Sequence, residues 1–206
     1  MNQILSPRGA TAVPPVILAL LIVNGLVYAA QQWRELLFLE HFALWPLGSQ
    51  FAPFMPWQLL TYGFLHDTHG FTHILFNMFT LWMFGRDLEQ IMGGLRFLTY
   101  YLVCIVGAGI TQLIVAMLTG GDYPTVGASG GVFGILLAFG MAFPERRVLL
   151  LIPPIPMKAK YFVLVFGALE LYLGVSGVAP GIAHFAHLGG MLFGFALIMS
   201  WRLQRR

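Results

Sequence analysis

Apolar residues gather in six long blocks, separated by short stretches where charge, proline and glycine collect. The blocks run over 13–31, 71–88, 95–118, 129–143, 161–178 and 181–201. Each is near the roughly 17–25 residues that a membrane-spanning helix needs. The pattern predicts an all-α polytopic membrane protein: six transmembrane helices forming one domain over 1–206, with no separate soluble domain. Two stretches break the pattern. Residues 33–70 are too long for a tight turn and too apolar for a solvated loop, which predicts a membrane-embedded loop between helices 1 and 2 with short amphipathic helices. Residues 149–156 contain Pro153, Pro154 and Pro156 and cannot continue a helix, so they are expected to form an inner loop dipping into the interface.

Composition agrees with a bilayer as solvent. Hydrophobic residues make up 58% of the 206 and charged residues 9%, whereas soluble domains carry about a quarter charged. The net charge of +3 needs no nucleic-acid partner. Arg8, Arg86, Arg96, Arg146, Arg147, Lys158, Lys160, Arg202, Arg205 and Arg206 all fall on one side of a six-helix arrangement, and Arg34 alone on the other. By the positive-inside rule both termini are then cytoplasmic, in a multi-pass protein of the cell membrane. The polar start of the chain leads into block 13–31 without a convincing processing context, so that block reads as a retained first helix. The single cysteine, Cys104, excludes an internal disulfide.

Candidate chemistry begins in the fourth block. From Ser129 to the Pro144-Glu145-Arg146-Arg147 cluster is about 15 residues, or roughly 22 Å of helix, against a hydrocarbon core of about 30 Å. Ser129 is therefore expected in the first turn of a helix that starts below the outer surface. Blocks two, four and six run in the same direction, so their early polar residues share one layer: His73 and Asn77, Ser129, and His184 and His187. Polar groups at such depth are costly and tend to mark function.

Gly127-Ala128-Ser129-Gly130-Gly131 matches G-x-S-x-G in form, but the preceding 120–126 offers a short polar loop rather than a strand. A serine at a helix start still lies beside backbone N–H groups that lack helical partners, and such donors stabilise an oxyanion. Taken alone, the cluster is more commonly a close-packing motif between helices. In the sixth block, His187, Gly190 and Gly194 share a face. The glycines let another helix backbone approach, which brings the imidazole within reach of a serine that needs a base. His184 lacks such glycines and reads as an interfacial residue. No acidic residue occupies an obvious position to orient His187: Asp67 and Asp122 lie in outer loops and Glu89 near the inner end of the second block. A Ser–His dyad is expected rather than a triad. Glu170 reads as an interhelical structural contact near the outer end of the fifth block.

His73-Ile74-Leu75-Phe76-Asn77, Gly127-Ala128-Ser129-Gly130 and Ala186-His187-x-x-Gly190-x-x-x-Gly194 together resemble the three signatures of rhomboid intramembrane serine proteases, in the right order and topology. The resemblance covers essentially the whole chain. It implies Ser129 as nucleophile and His187 as general base. It also implies His73 and Asn77 as oxyanion-hole partners of the Ser129 N–H, Phe133 as the ring packed on the imidazole, and Glu89 as a structural carboxylate. Phe133 stands where Tyr is frequent, and Trp57-Gln58 where Trp-Arg is usual, so one stabilising loop contact of the family is not carried over.

The implied reaction is cleavage of a partly unwound transmembrane helix of a membrane-protein substrate. Residues near the cut are expected to be small or helix-destabilising. No cofactor or metal is expected, since H-E-x-x-H is absent and Cys104 has no thiol partner. The partners are transmembrane substrates and the lipid bilayer, with no nucleic acid. The resemblance and the glycine-rich outer end of block five imply lateral opening there. The alternative is a non-catalytic rhomboid-like protein that binds or chaperones membrane helices, although such relatives usually lack Ser129 or His187. A small transporter would show internal repeats or paired broken helices, and none is seen in the sequence.

Overall fold

A computed structural model describes residues 13–149, 154–178 and 183–204. Seven α-helices carry the architecture: α1 (Pro15–Phe42), α2 (Gln58–Thr61), α3 (Thr72–Met92), α4 (Gly94–Thr119), α5 (Ser129–Ala142), α6 (Ala159–Ser176) and α7 (His184–Leu203). A 3₁₀ turn, Tyr62–Phe64, follows α2. The polar start of the chain, Gly181 and the last two arginines lie outside the described residues, as do 150–153 of the proline-rich stretch. What flanks that stretch is a small addition to the all-α expectation. Strands β1 (Arg147–Leu149) and β2 (Pro156–Lys158) pair antiparallel, with Val148 opposite Met157.

Among the described residues, four helices are long and apolar enough to cross a membrane: α1, α4, α6 and α7. The other two expected spans differ for physical reasons. Helix α5 is apolar but has 14 residues, about 21 Å at 1.5 Å each. Helix α3 has 21 residues but carries Arg86, Asp87 and Glu89 in its last turns.

Helix α1 continues to Phe42, well past the expected end at residue 31, with a kink where Arg34 leaves helical geometry (φ −140°, ψ 48°). The polar run Gln31-Gln32-Trp33-Arg34-Glu35 ends the apolar block without ending the helix, because these are tolerable helix residues in an interface. The carbonyls at its C-terminus have no helical donors and are closed by the following loop. Trp45 Nε1 donates to Leu39 O at 2.8 Å, Trp57 Nε1 to His41 O at 2.9 Å and Thr61 Oγ1 to Phe42 O at 2.8 Å. Gln58 is fully buried at the centre of this loop. Its Oε1 accepts from the N–H groups of Trp45 and Met55, at 3.3 and 3.2 Å. A loop contact is thus made by Gln58 itself, through an amide in place of a guanidinium.

Helix α3 runs antiparallel to α1 and is tied to it directly at one end and through the preceding loop at the other. At the start of α1, the Glu89 carboxylate accepts from the N–H groups of Val16 and Ile17, at 3.0 and 2.8 Å. An anion at the helix N-terminus satisfies orphan donors and opposes the positive end of the dipole. Further along α1, the Gln31 amide exchanges two 3.0 Å hydrogen bonds with the backbone of His66 in the loop before α3.

Helix α4 is the central post, packed against α5 and α7. Phe97, Tyr100, Tyr101, Cys104 and Ile105 on it are fully buried. The Tyr100 and Tyr62 hydroxyls donate to Gly134 O and Ile105 O, both at 2.7 Å, which satisfies polar atoms where no water competes. The outward faces show the opposite chemistry: Leu26, Leu75, Leu164, Tyr172 and Leu192 are each more than half exposed, as lipid-facing side chains are. Near the C-terminal ends of α3 and α5, Arg146 bonds Asp87 at 2.5 Å, and Glu145 pairs with Lys158 and Lys160. The hairpin and the start of α6 are thereby held to α3 and α5.

Candidate active site

Ser129 is the first residue of α5, and the loop before it is clamped from two sides. Leu44 and Thr125 form an isolated antiparallel bridge, exchanging hydrogen bonds of 3.0 and 2.9 Å. Two residues later, Gly127 N donates to Tyr62 O at 3.0 Å. The polar loop expected at 120–126 is thus extended at one point, and the loop between α1 and α2 supplies its partner. Gly127 adopts φ +131°, a conformation that L side chains rarely take. A Cβ there would also lie 2.9 Å from His73 Nε2. Both constraints require glycine, and its absent side chain lets the His73 ring stand next to the serine turn.

His187 lies on the first turn of α7, buried, with Nε2 2.7 Å from Ser129 Oγ. Close helix approach produces this distance. A Cβ on Gly190 would fall 2.7 Å from the Gly130 carbonyl carbon, so the α5 and α7 backbones touch one turn after His187 and at the residue next to Ser129. Gly194, one turn further, faces Tyr100 and Cys104 of α4. Phe133, one turn after Ser129, stacks on the imidazole with centroids 4.3 Å apart and planes 7° apart.

His73 and Asn77 share the α3 face that looks onto this turn. The Asp67 N–H donates to His73 Nδ1 at 3.2 Å, which leaves the ring proton on Nε2, the nitrogen next to Gly127. The Asp67 carboxyl is itself held below the ordinary carboxylate range, chiefly by the His69 backbone N–H. Asn77 Nδ2 donates one hydrogen to His73 O at 2.9 Å and has a second to give. The His66 ring packs edge-on against His73, 5.1 Å between centroids.

Two readings of the sequence are corrected here. Glu170 Oε2 lies 2.9 Å from His187 Nδ1 and 2.6 Å from His184 Nδ1. An acidic residue therefore does reach His187, from α6. His184 is buried against the same oxygen rather than placed at the interface. Glu170, His184 and His187 also have ligand atoms within 4.8 Å of one another. Their 2.6 and 2.9 Å separations are hydrogen-bond lengths, shorter than the roughly 3.3 Å edge of a tetrahedral zinc site with 2.0–2.1 Å bonds.

A cavity of about 880 Å³ opens onto Ser129 and His187. It passes Phe76, Phe79 and Met83 of α3 and Phe162 and Phe166 of α6, and reaches Val148 and Leu149 of the hairpin. Helices α3 and α6 touch at its inner end through Phe84 and Phe162, 6.0 Å between centroids.

Comparison with known proteins follows the same residues. The family model described as the Rhomboid domain matches residues 53–203. The chain is similar to "Rhomboid protease GluP" of Bacillus subtilis, 34% identical over 140 residues, which is 68% of this chain and 25% of that protein. It is 32% identical over 142 residues to "Putative rhomboid protease YdcA" of the same species, 68% of this chain and 65% of the relative. It is 29% identical over 140 residues to "Rhomboid protein 1, mitochondrial" of Saccharomyces cerevisiae, 66% and 39%. The chain thus spans between a quarter and two thirds of the length of these relatives. With the family match covering most of its length, this chain belongs to the rhomboid family.

Proposed function

We propose that the chain is an intramembrane serine endopeptidase that hydrolyses a peptide bond in or near a transmembrane helix of membrane-protein substrates. The observation that carries this reading is the Ser129 Oγ–His187 Nε2 distance of 2.7 Å, in a buried layer flanked by N–H donors. As Ser129 Oγ attacks the scissile carbonyl carbon, its proton passes to His187 Nε2. The carbonyl oxygen becomes an oxyanion beside the Ser129 N–H, His73 Nε2–H and the second Asn77 amide hydrogen. Collapse breaks the C–N bond, and the amine leaves with the proton from His187 Nε2. Water then attacks the acyl-serine, again giving its proton to His187, and the acid product is released as Ser129 regains a proton. Phe133 holds the ring plane through both steps.

The cavity supports the substrate class. Its walls between α3 and α6 are apolar and aromatic, which suits a helix segment arriving from lipid, and its outer end meets the polar residues Asp67 and His69. A helical carbonyl is hydrogen-bonded and screened by side chains, so the substrate must unwind at the cut. Displacement of α6 is the proposed route of entry. The charge asymmetry supports a six-span domain with both ends on the cytoplasmic side. Curated relatives include mitochondrial proteins, and the membrane proposed here is the cell membrane.

The test is cleavage of a reconstituted transmembrane substrate by wild type, Ser129→Ala and His187→Ala. Cutting by wild type alone supports the dyad. Equal cutting by all three refutes it, and wild type that neither cuts nor reacts with a fluorophosphonate at Ser129 refutes the protease reading.

A further inference from the structure

Glu170 is a carboxyl group inside an otherwise apolar helix, 8% exposed, and its Oε2 faces two imidazoles. A buried carboxylate without donors would be costly. Here one oxygen receives His184 Nδ1 at 2.6 Å and His187 Nδ1 at 2.9 Å. A carboxylate only accepts, so both contacts are satisfied together when each Nδ1 carries its proton. A single carboxyl proton could serve one of the two nitrogens at most. On His187, a proton on Nδ1 places the ring's lone pair on Nε2, the atom 2.7 Å from Ser129 Oγ.

We propose that Glu170 is the positioning residue of His187, so that the site works as a Ser129–His187–Glu170 relay with His184 as a second donor that fixes the carboxylate. This rests on the protease reading and deepens it. Glu170 touches neither substrate nor the reacting oxygen. It selects the tautomer that can accept the serine proton, and it places a negative charge beside the imidazolium formed when that proton arrives. The proton stays on the imidazole, and the carboxylate remains charged throughout. His184 donates to the same oxygen from one turn earlier on α7, which restrains the Glu170 rotamer. Phe133 covers one ring face. The imidazole, carried by α7, is therefore held at Nδ1 by α6, and at Nε2 and over its plane by α5.

A glutamate that only bridged α6 and α7 would be served by His184 alone, the shorter contact. The contact with His187 adds a second hydrogen bond to the same bridge, and it is this one that orients the base.

The experiment compares wild type with Glu170→Gln and Glu170→Asp, reading kcat, KM and thermal midpoint on a reconstituted transmembrane substrate. ¹⁵N-histidine NMR of wild type is recorded alongside. Glu170→Gln is expected to lower kcat by about 10²–10⁴-fold while KM stays within about threefold. Glu170→Asp should recover at least about tenfold of that loss, because a carboxylate is restored. The wild-type spectrum should show His187 protonated on Nδ1 with Nε2 bare. A Glu170→Gln enzyme with kcat within about threefold of wild type would overturn the proposal. So would His187 carrying its neutral-state proton on Nε2. The NMR readout needs only wild type, so it decides the matter even where the glutamine variant does not fold. It also stands apart from the fluorophosphonate test on which the protease reading depends.

Discussion

Replacing Gly190 by alanine tests whether the touching α5 and α7 backbones set the distance between base and nucleophile. The added Cβ would lie 2.7 Å from the Gly130 carbonyl carbon and 3.2 Å from Gly130 Cα, with the carbonyl oxygen nearer still. Ordinary carbon–carbon contacts are about 3.5–4.0 Å, so the helices must part by roughly 1 Å. Every obstructing atom is backbone, and no side-chain rotation relieves the clash. His187 is three residues before Gly190 on α7, and Ser129 immediately precedes Gly130 on α5. A parting of that size would carry the 2.7 Å Ser129–His187 hydrogen bond beyond bonding range. Displacement of about 1 Å at reacting groups costs on the order of 10²-fold in rate. Overpacking destabilises by a further ~1–3 kcal/mol.

The assay pairs cleavage of a reconstituted substrate with fluorophosphonate labelling of Ser129 and a thermal midpoint in detergent. Gly25→Ala is the matched control, because a Cβ there meets nothing within 4 Å. That control gains at most about 1 kcal/mol of helix propensity. Gly190→Ala should lose both cleavage and labelling, and Gly25→Ala should lose neither. A Gly190→Ala protein that labels and cuts within about threefold of wild type would show that this contact does not set the catalytic distance.

Two further outcomes follow from side-chain contacts. Phe133→Ala removes a stacked ring worth about 0.5–1.5 kcal/mol beyond its burial, so kcat should fall roughly 3- to 10-fold while Phe133→Tyr stays close to wild type; equal kcat in the alanine variant would refute the stacking role. Gln58→Ala leaves the buried Trp45 N–H and the half-buried Met55 N–H without their side-chain acceptor, at about 1–3 kcal/mol for the buried group and less for the other. A lowered thermal midpoint is expected, and an unchanged midpoint would mean the loop is held elsewhere.

Much of this molecule is written in its hydrophobic blocks, because lipid tolerates few ways of burying backbone. The starts of α3, α4 and α5 fall within a residue or two of the block edges. The end of α1 was not legible. Block 13–31 stops where the side chains turn polar, but a helix emerging into an interface keeps its hydrogen bonds, and α1 runs on to Phe42. The use of Gln58 was equally hidden. An amide in an apolar loop signals only that it must be satisfied; its partners, Trp45 and Met55, follow from the folded path of the loop. The β1–β2 ladder was masked by prolines that forbid a helix without naming what replaces it.

Glu170 shows where depth counting succeeds and periodicity fails. It lies six residues before the C-terminal end of α6, about 9 Å from it, and His187 lies three residues into α7, about 4–5 Å from its start. A glutamate side chain spans that difference, so the two groups were already assignable to one layer. Facing was the missing information. A helix in lipid is apolar on all sides, and its hydrophobic pattern does not say which residue turns inward. The stronger signal lay on α7. His184 and His187, three residues apart, share a helix face, and a buried pair of ring N–H donors demands an acceptor. Among the eight acidic residues of the chain, Glu170 is the one inside an apolar block at that depth. The question that leads to it is which group satisfies the histidines, rather than what a lone glutamate is for.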